Sequence, residues 1–205
     1  AYEIAQCLVG SEMCIRDSIE TFFNENQPTK QKTSINTPSM EVLSINDILK
    51  KAHDLNIETD PLDIKSVVKN IFNIEIKEDK FDKGVSGFLE RIGGKWCIFV
   101  NKYESELRKR FTIAHELGHF IKHRDRYMIS GSSIPDLIFF RDNTVDLTEK
   151  EANDFAAELL MPKDVFIEKI KSGCNTLDKL SEAFQLSTSA VKYRAYKLGL
   201  ISEYI

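Results

Sequence analysis

The stretch RFTIAHELGHFIKH, residues 110–123, decides how the rest of the sequence is interpreted. Its apolar residues recur with helical spacing. Two histidines in it, His115 and His119, lie four residues apart, so both rings project from one face of the predicted helix, with β-carbons roughly 5–6 Å apart. Imidazoles at that separation can converge on one ion at about 2.0–2.1 Å each. We therefore predict that His115 and His119 are metal ligands.

The acid that follows the first histidine has a different predicted role. Glu116 points about 100° away from His115, at about 3.6 residues per turn, so it cannot easily bind the same ion. It can reach a water molecule on the open side of the ion, where a general base acts. The alternative is a surface or buried histidine pair without metal. Because the helix is apolar over much of its circumference and buried polar groups need partners, the metal site is favoured.

A second predicted helix, LTEKEANDFAAELLMP (147–162), is the best source of the third protein ligand that a catalytic zinc needs. Glu149 and Asn153 lie on an alanine-rich stripe suited to close helix packing, whereas Glu151 lies on a charged stripe. We predict Glu149 as the third ligand, with Glu151 as the alternative. Asn153 is placed to accept a hydrogen bond from a ligand histidine. Gly118 costs roughly 1 kcal/mol relative to Ala in a helix, which makes sense if something approaches its backbone closely.

The third histidine of the segment is ambiguous. His123 lies four residues beyond His119 and could act as a transition-state donor, a spare ligand or a cation at the helix C-terminus. Neighbouring basic residues favour the last role, with the histidine helix spanning residues 105–123. Other candidate donors, such as Tyr127, have no spacing argument. Two imidazoles and a carboxylate suit one zinc ion, although manganese or iron would tolerate them.

The rest of the pattern predicts an α+β fold with a small sheet. Ser44 is the expected N-cap of the first helix, and Asp60 that of the second, with Pro61 at its first position. Gly93-Gly94 marks a hairpin turn. Its second strand, KWCIFVN, either offers a free edge to an extended substrate or is an ordinary core strand. The predicted segments are helices at 44–57 and 60–74, a strand at 74–78, a hairpin at 85–102 and a loop at 124–147.

Composition limits the class of protein. The chain has 205 residues, 42% of them hydrophobic, and a formal net charge of −4, which provides no overall basic field for nucleic acid or an anionic membrane. No apolar run is long enough to span a bilayer. The N-terminus has no basic region typical of a secretory signal. The four cysteines are far apart, which favours free thiols in a cytoplasmic protein; they are Cys7, Cys14, Cys97 and Cys174.

Three regions are predicted along the chain. Residues 1–43 combine a segment (1–18) that resembles a translated sequencing adapter, or alternatively a short native helix, with a polar arm. Residues 44–163 form the metal-binding core. Residues 164–205 form a helical extension of three short helices, which resembles a helix-turn-helix. Its second helix has three cations, which are few for phosphate neutralisation, so we expect no direct binding of nucleic acid; they are Lys192, Arg194 and Lys197.

The segment RFTIAHELGH followed by EANDFAAELLMP, and preceded by SGF and IFVN in the hairpin, resembles the ImmA/IrrE family of metallopeptidases from about residue 44 to residue 200. The resemblance implies a zincin-like core of the gluzincin type, with ligands His115, His119 and Glu149 and base Glu116. It also implies a zinc endopeptidase that cleaves a partner helix-turn-helix repressor, relieving repression of mobile-element or stress genes. The alternatives are a DNA-binding regulator and a metal-binding regulator without hydrolytic activity.

Overall fold

The computed structural model describes residues 43–81, 84–130 and 143–202, with the side chains of 125–130 and 143–146 left undescribed. The predictions for residues 1–42, for the centre of the loop and for the side chain of Tyr127 lie outside the described residues. In chain order the elements are α1 (Ile45–Asp54), α2 (Ile64–Phe72), β1 (Glu75–Asp79), β2 (Gly87–Ile92), β3 (Lys95–Asn101), α3 (Glu106–Ser130), α4 (Asn143–Leu160), α5 (Lys163–Lys171), α6 (Leu177–Phe184) and α7 (Thr188–Lys197). The predicted α+β class is confirmed.

The first two helices begin at side-chain caps. Ser44 caps α1, as predicted, because its hydroxyl accepts the Asp47 N–H at 3.2 Å while the Asp47 carboxylate accepts the Ser44 N–H at 3.0 Å. The prediction for α2 is wrong: its cap is Asp63, whose carboxylate accepts the Ser66 N–H, and not Asp60. The physical reason is a local turn closed by a bridge between Thr59 and Leu62, which delays the start of the helix.

The sheet has three strands in the order β1-β3-β2, with β1 parallel and β2 antiparallel to β3. The predicted hairpin is confirmed, and its two turn residues, Gly93 and Gly94, both have positive φ, as a tight turn requires. β3 is hydrogen-bonded on both sides. The prediction that KWCIFVN offers a free edge is therefore wrong, and the outer strands of the described sheet are β1 and β2.

Helix α3 is longer than predicted. It continues to Ser130, roughly two turns past His123. The sequence of residues 124–130 contains no glycine or proline that would end the helix. The helix α4 also begins earlier than expected, at Asn143, so most of the predicted loop at 124–147 is helix or lies outside the described residues. The interpretation of His123 as a C-terminal cation is wrong, since the macrodipole acts only within the last turn.

The core joins the sheet, α3 and the C-terminal helices. Three helices do follow Pro162, as predicted, and their buried side chains, such as Phe166 and Val191, belong to one cluster with Ile98 and Leu117. The division of the chain near residue 163 stays a prediction. No described helix is both long enough and apolar enough to cross a membrane.

Arg110 connects three parts of the chain by hydrogen bonds. Its guanidinium donates to the backbone oxygens of Gln185, after α6, and Leu62, before α2, at 3.1 and 2.9 Å. Because Arg110 lies on α3, these hydrogen bonds hold the helix that carries the histidines against the segments before α2 and after α6.

Candidate metal centre

Helices α3 and α4 pack at very short range, and this contact positions the candidate centre. A β-carbon placed on Gly118 would lie 3.2 Å from the backbone of Ala152 and 3.0 Å from the ring of Phe155. Ala152 and Ala156 are completely buried. Gly118 and the alanine stripe of α4 therefore allow the two helix backbones to approach closely enough for histidine side chains of α3 to meet a glutamate of α4.

The three predicted ligands converge across this contact. The Nε2 atoms of His115 and His119 are 3.0 Å apart. Each is 3.2 Å from one carboxylate oxygen of Glu149. Within the described parts of the chain, these residues are the one group of three or more histidine, cysteine and acidic side chains that could hold a metal ion. The structure therefore brings together the residues that the helical stripes selected.

This donor set fits zinc. Bonds of about 2.0–2.1 Å in a tetrahedron separate neighbouring ligands by roughly 3.3–3.4 Å, and the donor atoms are 3.0–3.2 Å apart. Two imidazoles and one carboxylate leave the fourth position for water or substrate. The histidine side chains are 4% exposed, whereas Glu149 is 31% exposed, so the site reaches solvent on the α4 side.

Asn153 lies where the sequence placed it, beside the first ligand histidine. The Nδ1 atom of His115 is 3.0 Å from Oδ1 of Asn153. When Nδ1–H donates to this oxygen, the lone pair of Nε2 points at Glu149 and His119 and is available to a metal.

The charges of the site stabilise one another. Burial alone would lower the pKa of His115, but the Glu149 carboxylate outweighs it and raises the pKa above its usual value. Burial would raise the pKa of Glu149, yet hydrogen bonds with His115 and His119 hold the pKa of this carboxyl well below its usual range. Glu149 is therefore ionised, as a ligand must be.

Glu116 is in a different electrostatic environment from Glu149. It is 5% exposed, and burial raises its pKa despite the opposing influence of His115 and His119. A carboxyl with a raised pKa accepts and releases a proton more readily near neutral pH than an ordinary glutamate does.

The alternative ligand is directed elsewhere. Glu151 contacts His123, with Oε2 3.5 Å from Nε2. His123 is 4% exposed, and its ring lies against that of His119 with centroids 5.5 Å apart. Neighbouring basic residues favoured a cation at the helix end, whereas the spacing of four residues from His119 correctly indicated a third side chain on the same face.

The edge strand β2 begins next to the histidine helix. A β-carbon on Gly87 would lie 2.6 Å from the methyl carbon of Thr112, so only glycine allows β2 to approach this closely. Thr112 is one turn before His115 and Glu116. The start of β2 therefore packs on α3 one helical turn before the candidate centre, a proximity that local sequence patterns do not reveal.

Two of the three cations of the helix-turn-helix-like segment are bonded within the chain. Arg194 is buried and donates from Nε to the backbone oxygen of Met161 at 2.9 Å. Lys197 donates to the carboxylate of Asp154 at 2.8 Å. Both side chains therefore contribute to the packing of the C-terminal helices, and the absence of direct nucleic-acid binding stays a prediction.

Comparisons with known proteins agree with the fold. The sequence matches the family model Peptidase_M78, described as the IrrE N-terminal-like domain, over residues 69–196. A comparison with curated proteins finds no match. Among solved structures, the chain is similar to a Mycobacterium tuberculosis transcriptional regulator, with a TM-score of 0.54 and 16% identity over 73% of this chain and 45% of that one. The chain thus spans less than half of that regulator, and at this identity the likeness shows a common fold.

Proposed function

This chain belongs to the Peptidase_M78 family, and from that membership and the geometry of the centre we propose that it is a zinc-dependent endopeptidase. The family supports protease activity in general. The observation that carries the specific proposal is the convergence of His115, His119 and Glu149 within 3.2 Å of one another, next to the buried carboxyl of Glu116.

Each residue of the centre has a defined role in peptide hydrolysis. His115, His119 and Glu149 hold the ion, and Asn153 fixes the tautomer of His115. A bound zinc supplies a Lewis acid, which polarises the scissile carbonyl and lowers the pKa of water towards about 7. Glu116 takes the proton of the attacking water on its carboxylate and then delivers it to the leaving amine.

The substrate is proposed to bind as an extended strand along β2. The outer edge of β2 has no neighbouring strand among the described residues, and Gly87 places it beside the turn that precedes Glu116. An extended peptide can hydrogen-bond to such an edge through its main chain, while side-chain pockets select the sequence. This geometry favours unfolded or loop segments over folded regions of a protein substrate.

The proposed substrate is a helix-turn-helix repressor whose cleavage relieves repression of mobile-element or stress genes. The support is the resemblance to ImmA/IrrE peptidases, together with the name of the structurally similar protein, a transcriptional regulator. The described cysteines, Cys97 and Cys174, are free thiols, which supports activity in the reducing cytoplasm.

The test is co-expression of the chain with repressors encoded beside its gene, comparing wild type, Glu116→Gln and the surface control Glu158→Gln. The variant Glu116→Gln is expected to keep stoichiometric zinc and to lose about 10²–10⁴-fold in cleavage rate. The control should cleave like wild type, since Glu158 is exposed on α4.

Two results would contradict the proposal. One is cleavage that persists in Glu116→Gln, and the other is zinc-loaded wild type that produces no fragment from any neighbouring repressor. In the second case, a gel shift whose affinity falls steeply with salt would favour the DNA-binding alternative. The absence of such a shift would favour a regulator that binds metal without hydrolysis.

A further inference from the structure

His123 is a buried imidazole for which the hydrolytic scheme has no use. It is the third histidine on the same side of α3, and it is 4% exposed. Its ring is tilted 53° against the ring of His119, with centroids 5.5 Å apart. Its Nε2 faces Glu151 of α4 at 3.5 Å. A polar ring is costly to bury for packing alone, so its place requires an explanation.

The contact with Glu151 spans the two helices that form the metal centre. Glu151 follows the proposed ligand Glu149 by two residues, within the same turn of α4. The described side chains of α4 before Glu149 provide little apolar burial, because Leu147 is 57% exposed and Thr148, although buried, is polar. Glu151 lies between Glu149 and Ala152, whose backbone packs on Gly118. The contact with His123 is therefore well placed to orient the turn of α4 that carries Glu149.

We propose that His123 is a positioning residue of the metal centre. By packing on His119 and contacting Glu151, it holds the ring of one ligand and the helical turn of another in the arrangement that binds the ion. It acts through these neighbours and touches neither metal nor substrate. The inference rests on the proposed function, since it assumes that the ion binds at His115, His119 and Glu149.

A simple space-filling role makes a different prediction. If His123 only fills volume beside His119, phenylalanine should replace it without loss, because the aromatic ring is retained. If its ring nitrogen positions α4 through Glu151, His123→Phe should weaken metal binding. The effects of His123→Phe and Glu151→Gln should then overlap, since both remove the same contact.

The experiment is a zinc titration of the purified, metal-stripped full chain in competition with a chromogenic chelator. His123→Ala and His123→Phe are expected to weaken zinc binding about tenfold, at the lower end of the 10–100-fold range typical of residues that orient ligands. Glu151→Gln should act in the same direction but more weakly, and the double variant should be no worse than His123→Phe. A surface histidine–carboxylate pair is the matched control: His53 and Asp54 are 3.9 Å apart and mainly exposed, so His53→Phe and Asp54→Asn should leave the affinity unchanged.

A second measurement separates positioning from general damage. The visible absorption of the Co²⁺-loaded protein reports ligand geometry, and it should change in His123→Phe while the unfolding temperature of the metal-free protein stays near that of wild type. If His123→Ala fails to fold, His123→Phe decides the question.

Wild-type affinity and spectrum in His123→Phe would overturn the inference and leave the proposed function standing, as would strictly additive effects in the double variant. A wild-type chain that binds no zinc would overturn both.

Discussion

The candidate metal centre between α3 and α4 and the helix pair α6–α7 both carry charged residues in motifs associated with function, yet the two regions use them in opposite ways. In the candidate centre, the polar atoms of His115, His119 and Glu149 face one another. In the helix pair, Arg194 and Lys197 donate to acceptors on α4 or next to it. Convergent donor atoms leave a place for an ion, whereas cations already bonded within the chain contribute to packing.

The two regions are also connected. Asp154 of α4 accepts hydrogen bonds from Tyr193 and Lys197 of α7. Asp154 follows Asn153, whose amide oxygen is paired with His115. Through these hydrogen bonds, α7 is attached to α4, the helix that carries the proposed third ligand.

The largest expected effect tests which acid completes the centre. Glu149→Gln should weaken zinc binding by more than the roughly 100-fold that marks the upper range for orienting residues, because it removes a charged ligand. Glu151→Gln, two residues away, should change the affinity far less. Competition titration with a chelator measures both. If Glu151→Gln had the larger effect, the assignment of the ligand and the contrast between the two regions would be wrong.

The next effect tests the close approach of the two helices. Gly118→Val should destabilise the chain by about 1–3 kcal/mol, the usual cost of overpacking, and reduce zinc binding, because Ala152 and Phe155 leave no space for a side chain. The half-buried Ala183 of α6 provides the control, since Ala183→Val should cost only the few tenths of a kcal/mol due to helix propensity. Urea unfolding measures both variants, and equal costs would contradict the packing argument.

Much of the fold could be predicted because it depends on local pattern. The cap at Ser44, the hairpin at Gly93-Gly94 and the three helices after Pro162 are all confirmed. The errors concern features that the helical and strand patterns do not contain. The start of α2 depends on a turn that precedes it, and the neighbours of β3 depend on a parallel pairing with β1.

The candidate site also combines residues that local sequence pattern could select with features that depend on the whole fold. The spacing of His115 and His119 is local, and the alanine stripe indicated which face of α4 would meet them, so these residues and Glu149 could be selected from sequence. Their assignment as ligands stays a prediction. The proposed roles of His123 and of the edge of β2 did not follow from local pattern alone, since they depend on where α3 ends and on which strand is central.

An effect of similar size tests the use of cations in the helix pair. Arg194→Met should lower the free energy of unfolding by about 1.5–3 kcal/mol, the range for a hydrogen bond from a charged group, because the Met161 oxygen loses its donor. Lys197→Met should cost at most about 1 kcal/mol, since its ion pair is partly exposed. Neither variant should alter retention on a DNA column. A loss of salt-dependent DNA binding in both would show that these cations serve recognition.

The smallest expected effect is a loss of unfolding free energy at alkaline pH. Burial, followed by the hydrogen bond to Asp154, raises the pKa of Tyr193 above its ordinary value. The folded state therefore holds the phenol proton more tightly than the unfolded state, whose tyrosine titrates near pH 10. This contribution is fully present below about pH 10 and is lost as pH rises from there towards the folded pKa. Lysines titrate in the same range, so the comparison with Tyr193→Phe isolates the phenol.

Between about pH 9 and pH 11, wild type should lose about 1 kcal/mol more of its unfolding free energy than Tyr193→Phe, the usual size of one hydrogen bond. Urea unfolding at the two pH values measures this difference. An exposed tyrosine provides the control: Tyr103→Phe should follow wild type, because its side chain is 70% exposed. Identical pH dependence in wild type and Tyr193→Phe would mean that α7 is not held to α4 through this phenol.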